Sequence, residues 1–153
     1  MRLGLSPATY KRVVGAPAYK RTVLHDDQKP IGFWRLVFPR VSVYFQPKKF
    51  RGGVMITTWD QRYKTALGIG PCSTVSELKL AYGKQLRPSK FNTQRGVVFA
   101  YTLGKNLIFA TENHSYVEAV GLYDGSDPNV GKPGGSLSWA GFIILNERTC
   151  HRE

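Results

Sequence analysis

Residues 65–83, TALGIGPCSTVSELKLAYG, contain a compact helix signal near the middle of the chain. Thr74 suits a helix N-cap, and Glu77, three residues later, can reach back to the N-cap amide to form a capping box. Apolar side chains then recur at the three-to-four-residue spacing of one helical face: Val75, Leu78, Ala81 and Tyr82. Gly83 follows, where a glycine readily ends a helix. The stretch therefore predicts a short amphipathic helix.

A second segment with the same signals begins the chain. Residues 4–15, GLSPATYKRVVG, place Ser6 at the N-cap, a proline at the first helical position and Gly15 at the end. The terminal glycines of the two segments are 68 residues apart (83 − 15). At this offset Tyr10 aligns with Leu78, and both are apolar positions of the predicted helices. We therefore expect two equivalent helices in one chain.

Three segments of strand character follow each predicted helix, at residues 32–38, 41–45 and 54–60 in the first half and 96–101, 106–109 and 117–124 in the second. Four pairs match at a constant offset of 64: Gly32 with Gly96, Phe45 with Phe109, Trp59 with Tyr123 and Asp60 with Asp124. The change from 68 to 64 corresponds to a four-residue difference in the loop after the helix, where insertions are tolerated. We interpret the pattern as an internal duplication. Chance similarity between two α+β segments is the alternative.

The short connections between these strands favour antiparallel neighbours, so each unit should be a small meander with its helix on one face. Three strands and a two-turn helix bury little surface, so we expect the two sheets to merge or pack together. The predicted fold class is α+β, with tandem helix-plus-meander repeats at residues 1–64 and 65–124. We expect residues 125–153 to form a linker with one extra strand, 137–145, at the edge of the second sheet, and residues 25–30 to form a polar loop.

The charge of the chain is strongly positive and unevenly divided. The formal net charge is +12, with a sequence pI near 10.0. Residues 1–68 carry 13 Lys+Arg against 3 Asp+Glu, giving +10, whereas residues 69–153 carry 9 against 7, giving +2. Such a field favours anionic partners, although a merely solubilising surface is the alternative. The candidate binding residues are the basic residues of the first half: Lys11, Arg12, Lys20, Arg21, Arg40, Lys48, Lys49 and Arg51.

Nucleic acid is one anionic partner that the sequence leaves open. Aromatic and basic residues alternate in the first half, as on sheets that stack bases: Phe33, Trp34, Arg35, Tyr44, Phe45, Lys48, Lys49, Phe50 and Arg51. The chain has no RRM signature, no KH-type GxxG clamp and no helix-turn-helix pattern. The aromatic residues also fall at strand-alternation spacing, where packing in a core is the commoner role.

Catalytic and metal-binding signals are sparse. The three histidines, His25, His114 and His151, are scattered without ligand-spaced neighbours, and no paired carboxylate motif is present. Cys72 precedes a helix N-terminus, which lowers a thiol pKa, but no histidine is near it in sequence. The segment from Gly68 to Pro71 lacks the GK[ST] ending of a phosphate loop. We therefore predict a non-enzymatic protein with no catalytic residues, no metal site and no cofactor.

The two cysteines suit a disulfide that attaches the C-terminal segment to the second unit. Cys72 lies at the junction of the two units, and Cys150 lies 78 residues later (150 − 72). In the chain-entropy model a cross-link of this span contributes about 4 to 5 kcal/mol. The alternative is two free thiols, which is the expected state in a reducing compartment.

The repeated motif also resembles a known group of small extracytoplasmic bacterial domains. These are the β-lactamase-inhibitory-protein-like and outer-membrane-assembly lipoprotein (SmpA/OmlA, BamE) superfamily, and the chain looks like secreted actinobacterial proteins with two such units. The resemblance covers about residues 4–124. Its residues are Gly4, Leu5, Ser6, Val14 and Gly15, and then Gly68, Ile69, Gly70, Ser73, Thr74, Leu78, Ala81, Tyr82 and Gly83. The resemblance implies a non-enzymatic binding or assembly protein.

These observations together predict an extracytoplasmic or envelope-associated binding protein that acts through the basic surface of the first repeat. The expected partner is an anionic cell-envelope polymer or an acidic protein surface. A nucleic-acid-binding module is the second interpretation, and a protein inhibitor of an enzyme is the third. No segment approaches the roughly 20 apolar residues that span a bilayer. Residues 1–15 lack a signal-peptide core, so an export signal is expected to be absent from this chain.

Overall fold

The computed structural model describes residues 3–15, 22–26, 29–45, 53–93, 96–111, 115–124 and Cys150. These ranges contain two α-helices, α1 (Pro7–Val14) and α2 (Val75–Tyr82), and a 3₁₀ turn, Gly83–Gln85. They also contain eight strands: β1 (Thr22–Asp26), β2 (Lys29–Phe38), β3 (Val41–Phe45), β4 (Gly53–Thr58), β5 (Leu86–Thr93), β6 (Gly96–Leu103), β7 (Leu107–Thr111) and β8 (Ala119–Tyr123). The fold is α+β, as predicted.

Both helices lie where the capping signals predict them, and each has eight residues. The Ser6 side chain accepts a hydrogen bond from a backbone amide in the first turn of α1. The capping box of α2 is complete, because Thr74 accepts from the Glu77 amide while the Glu77 carboxylate accepts from the Thr74 amide. Gly15 and Gly83 follow the two helices with positive φ angles of 102° and 48°, a conformation that favours glycine.

The eight strands form one antiparallel sheet in the order β1-β2-β3-β4-β8-β7-β6-β5. The central pair is β4 with β8, whose register runs from Met55 opposite Tyr123 to Thr58 opposite Val120. The strands of the first half are therefore continuous with those of the second. The expectation that the two sheets merge or pack together is confirmed, and they merge.

Each half contributes four strands, so the prediction of three-stranded meanders is wrong. The missed strands are β1 and β5, which lie at the two ends of the sheet that the described strands form. Of residues 25–30, predicted to form a loop, residues 25–26 end β1 and residues 29–30 begin β2, and the two strands pair antiparallel. Residues 27 and 28 lie outside the described residues. Edge strands tolerate charged residues and proline because one side of their backbone makes no ladder hydrogen bonds. β1 therefore accommodates Asp26 and β5 accommodates Pro88. These residues are typical of loops, and so the sequence did not indicate the two strands.

The core of the first half lies between α1 and strands β2 to β4. Tyr10 is fully buried, and its ring meets the Phe45 ring edge-on, with centroids 5.7 Å apart. The buried cluster around them consists of Leu36, Phe38, Val41, Val43 and Ile56. Burying one large aromatic side chain removes about 150–250 Å² of surface from water, which explains how so short a helix is held on the sheet.

The core of the second half has the same arrangement on the same face of the sheet. Leu78 of α2 is fully buried, and it is the residue that aligns with Tyr10. Tyr82 packs against Phe109, with ring centroids 5.9 Å apart. The other buried members of the cluster are Ile69, Val75, Tyr101 and Val117. α2 therefore uses its predicted apolar face. In α1 the spacing predicts an apolar face of Tyr10, Val13 and Val14, and this prediction is wrong for Val13, which is 63% exposed.

The opposite face of the sheet is buried as well. All five residues of β3 are buried, including Ser42 and Tyr44, which alternate with the core-facing positions. Thr57 on β4 and Ala110 on β7 are also buried. Burial raises the pKa of the Tyr44 hydroxyl above its ordinary value. The alternation of Val41, Val43 and Phe45 with Ser42 and Tyr44 thus indicates which residues share a face, but it does not predict that the face of Ser42 and Tyr44 is removed from water.

The C-terminal part of the sequence falls almost wholly outside the described residues. The predicted linker and the predicted strand at residues 137–145 lie in this region, and Cys150 is its one described residue. The boundaries at residues 64 and 124 stay predictions. Strands from both sides of residue 64 share one sheet, so the sheet itself marks no boundary at that residue. Within the described ranges, no helix is long and apolar enough to cross a membrane.

Candidate functional site

Three of the eight predicted binding residues lie in the described ranges. Lys11 and Arg12 are exposed in the last turn of α1. Arg40 lies in the turn between β2 and β3, with a positive φ of 67° and a side chain 60% exposed. All three lie in the first half, on two different elements. The other five fall outside the described residues: Lys20, Arg21, Lys48, Lys49 and Arg51.

Arg40 belongs to a charged cluster that the sequence did not reveal. Its Nη1 atom lies 3.8 Å from a carboxylate oxygen of Asp60, whose side chain is only 2% exposed. Arg62 binds the same carboxylate, with Nη2 2.6 Å and Nε 3.0 Å from Oδ2. Hydrogen bonds from Arg62 hold the pKa of Asp60 below its ordinary value, although burial opposes the shift. A buried carboxylate thus binds the guanidinium group of Arg62 through hydrogen bonds and attracts that of Arg40 at longer range, at the end of β4.

The connector between the two halves, residues 59–74, is fixed by its own hydrogen bonds. The Thr65 hydroxyl accepts from the Tyr82 hydroxyl at 2.7 Å and from the Ile69 amide at 3.2 Å. The Thr65 amide in turn donates to the Ile69 carbonyl at 2.8 Å. These bonds attach the middle of the connector to the last turn of α2.

The end of the connector is attached to the segment before β8. The Cys72 amide donates to the Val117 carbonyl at 2.7 Å, and the Val117 amide donates to the Ser73 carbonyl at 2.8 Å. The sulfur of Cys150 lies 2.12 Å from that of Cys72, which is disulfide-bonding distance. The structure therefore brings together the two cysteines that the sequence pairs, at the point where the connector enters the second half.

A cavity of about 280 Å³ lies beneath the connector, on the helix-bearing face of the sheet. Its floor consists of two cross-strand rows over the β4–β8 pair. In one row Thr58 lies between Val41 and Val120, and in the other Leu122 lies between Ile56 and Leu107. The connector residues Tyr63, Lys64, Thr65 and Ile69 form its wall. The cavity is therefore apolar and contacts both halves of the chain.

Few polar groups of the cavity wall remain available to a ligand. The Thr58 hydroxyl donates to the Arg40 carbonyl and accepts from the Asp60 amide, at 2.9 and 3.1 Å. The Thr65 hydroxyl is occupied by Tyr82 and Ile69. Lys64 is exposed, and among the described residues it has no carboxylate within 4.0 Å. Lys64 is thus the one cation that lines this apolar cavity.

The structure describes only some of the aromatic residues that the sequence suggests for stacking on nucleic-acid bases. Tyr44 and Phe45 are buried, so neither ring has a free face on which a base could stack. The side chains of Phe33, Trp34 and Phe50 fall outside the described residues. In the described part of the chain, no group of three or more His, Cys, Asp or Glu side chains is arranged to hold a metal ion.

Comparisons with known proteins give no match to a family model, to a curated protein or to a solved structure. The resemblance to inhibitory-protein-like and outer-membrane-assembly domains therefore stays a prediction from short motifs.

Proposed function

We propose that this protein is a non-enzymatic, extracytoplasmic binding protein that acts through the basic surface of its first half. The observation that carries the proposal is the division of charge, +10 in residues 1–68 against +2 in residues 69–153. Stability does not require such a division, because surface charges contribute little to folding. It does create a field that attracts anionic partners to one half of the molecule.

The described cations of the first half are accessible to a partner. Lys11 and Arg12 are exposed, and neither forms an ion pair within the described ranges. Arg40 keeps 60% of its side chain exposed although it lies near Asp60. An anionic polymer or an acidic protein face can therefore reach these groups without displacing an internal carboxylate from Lys11 or Arg12.

We include in this proposal that the two halves arose by duplication. The helices begin 68 residues apart and end 68 residues apart (75 − 7 and 82 − 14). Each half follows its helix with four strands, and the strand order is symmetric about the β4–β8 pair. If the two halves share an ancestor, their unequal charge is a difference acquired later. That difference favours a specialised surface on the basic half.

The cysteine pair supports the extracytoplasmic part of the proposal. The two sulfur atoms lie at bonding distance, and disulfides persist mainly in oxidising compartments. The resemblance to extracytoplasmic bacterial domains points to the same compartment.

The experiment compares charge reversal in the two halves. One variant carries Lys48→Glu, Lys49→Glu and Arg51→Glu, and a second carries Lys11→Gln and Arg12→Gln. The matched control carries Lys84→Glu, Arg87→Glu and Lys105→Glu, three exposed positions of the second half. Binding to poly(glycerol phosphate), polyglutamate and duplex DNA is measured between low and moderate salt. All variants should keep the melting temperature of the parent within a few degrees.

We expect the triple reversal in the first half to weaken binding to one of the two acidic polymers at least tenfold, whereas the control changes it less than threefold. Added salt should have the same effect as the reversal, because it screens exposed charges. Equal losses in the two triple variants would show that total charge alone governs adhesion and would contradict the proposal. Saturable DNA binding with a steep salt dependence would favour the nucleic-acid interpretation instead.

A further inference from the structure

We infer that the cavity beneath the connector binds a small amphipathic anion, an alkyl carboxylate with a single short chain. The apolar floor receives the chain, and Lys64 receives the carboxylate. This inference concerns a site on the β4–β8 pair and does not depend on the proposed role of the basic surface.

The cavity exists because neither helix covers the strands at the centre of the sheet. The α1 cluster includes Ile56 of β4, and the α2 cluster is bordered by Val120 of β8. Leu122 lies between Ile56 and Leu107 in the strand register, yet it belongs to neither cluster and is only half-buried. The connector passes over this strip and leaves about 280 Å³ beneath it. An apolar strip left open in this way is typical of a small-molecule site.

The side chain of Lys64 packs against the backbone of the connector at Gly70. A Cβ atom added to Gly70 would overlap the Tyr63 carbonyl oxygen and would lie 3.1 Å from the Lys64 Cγ atom. Only glycine allows the connector to approach itself so closely, and the approach packs the stem of Lys64 against the backbone. The Cγ atom of Lys64 is thus held against the connector backbone at the cavity wall.

The charge around the cavity favours an anion. Arg40 precedes the lining residue Val41, Arg62 precedes the lining residue Tyr63, and Lys64 itself lines the cavity. Two carboxylates oppose these cations: Asp60, and Glu77, whose pKa is lowered by hydrogen bonds from Thr74 and further by the charge of Lys64. The five groups sum to a local charge of +1 (3 − 2). A neutral apolar ligand would use the floor but not this charge, whereas a short alkyl carboxylate uses both.

The volume sets the size of the ligand. At about 30 Å³ for each water-sized group, a cavity of 280 Å³ holds about nine non-hydrogen atoms. Octanoate, with eight carbons and two oxygens, is close to this size. Each buried methylene should tighten binding about fourfold, so affinity should rise from butanoate to octanoate. The gain per carbon should fall once the chain is longer than the cavity.

The test measures binding of butanoate, hexanoate, octanoate, dodecanoate and octanol by calorimetry and by amide chemical shifts, all below micellar concentrations. Lys64→Met removes the ammonium but keeps the stem against Gly70, and Lys84→Met is the matched control, since Lys84 is exposed and does not line the cavity. Leu122→Trp fills the floor. If that variant does not fold, the chain-length series on the unaltered protein still decides.

We expect octanoate to bind more tightly than butanoate and octanol, with amide shifts centred on Thr58, Lys64 and Leu122. Lys64→Met should weaken octanoate by up to about fivefold, the upper range for an exposed ion pair, and should leave octanol unchanged. Lys84→Met should change neither.

Three results would overturn the inference. Affinity that is independent of chain length would exclude the floor as the site of the chain. Equal effects of Lys64→Met and Lys84→Met on octanoate would exclude Lys64 as the site of the carboxylate. The third result is that octanoate fails to bind, while the protein dimerises with rising concentration or binds an acidic amphipathic peptide. If Leu122→Trp abolishes that association, the cavity belongs to a protein partner.

Discussion

Replacing both Cys72 and Cys150 with alanine should lower the free energy of unfolding by about 4.5 kcal/mol. The two residues are 78 positions apart, and the enclosed chain contains α2 and all four strands of the second half. In the chain-entropy model, a cross-link of this span lowers the entropy of the unfolded chain by about 15 cal/mol/K. Since whole domains are stable by about 5–15 kcal/mol, the loss is a large fraction of the total.

The backbone at Cys72 offers a control that separates the cross-link from local strain. Cys72 has a positive φ of 65°, in the left-handed region that costs about 1 kcal/mol or more for a residue with a Cβ atom. Alanine at position 72 keeps that strain, whereas glycine relieves it. The variant with Cys72→Gly and Cys150→Ala should therefore be about 1 kcal/mol more stable than the double alanine variant.

The assay is urea unfolding of the parent protein and the variants, each with and without reductant, together with mass spectrometry after thiol alkylation. Reductant should lower the midpoint of the parent toward that of the double alanine variant and should not affect either variant. Two alkylatable thiols in the native, unreduced parent would refute the cross-link. An unchanged midpoint on reduction would refute the magnitude, because it would show that the unfolded chain gains little freedom when the bond is opened.

Two further predictions concern the connector. Gly70→Ala should lower the free energy of unfolding by about 1–3 kcal/mol, because the added Cβ displaces the Tyr63 carbonyl, and urea unfolding measures the loss. Gly104→Ala meets nothing within 4 Å at a φ of 62°, so it measures the cost of φ strain, which Gly70→Ala does not carry because Gly70 has no positive φ. Hydrogen bonds from Arg62 hold the pKa of folded Asp60 below its ordinary value, so the stability that the charge contributes is fully present above the ordinary carboxyl pKa and is lost as the pH falls through the folded pKa. Asp60→Asn should therefore destabilise the protein at pH 7, and the difference in melting temperature should shrink at lower pH; a constant difference would contradict the role of the charge.

The helices could be predicted from the sequence because their signals are local. The capping box of Thr74 and Glu77 lies within four residues, and the bonds it predicts form between those same groups. The anchoring positions Tyr10 and Leu78 also follow from spacing alone, and both are fully buried. Each of these features depends on neighbours within one or two helical turns, so no knowledge of the sheet is needed to find them.

The edge strands could not be recognised in the same way. β5 contains Pro88 together with Arg87 and Lys90, and a central strand would not tolerate such a composition. Only the position of β5 at the end of the sheet makes the composition compatible with a strand. Strand order is a long-range property, so local composition misleads where the order is unknown.

The pairing of β4 with β8 could not be predicted from the sequence either, and it forms the floor of the cavity. Ile56 and Leu122 are 66 positions apart in sequence (122 − 56) and become partners only through this pair. Because each helix covers the strands of its own half, joining the halves edge to edge leaves an apolar strip that neither helix covers. The connector must cross the strip to reach α2, and it brings Lys64 with it. A cation beside an apolar cavity is thus a consequence of how the halves join. A ligand bound there contacts both halves at once, so it should stabilise them together.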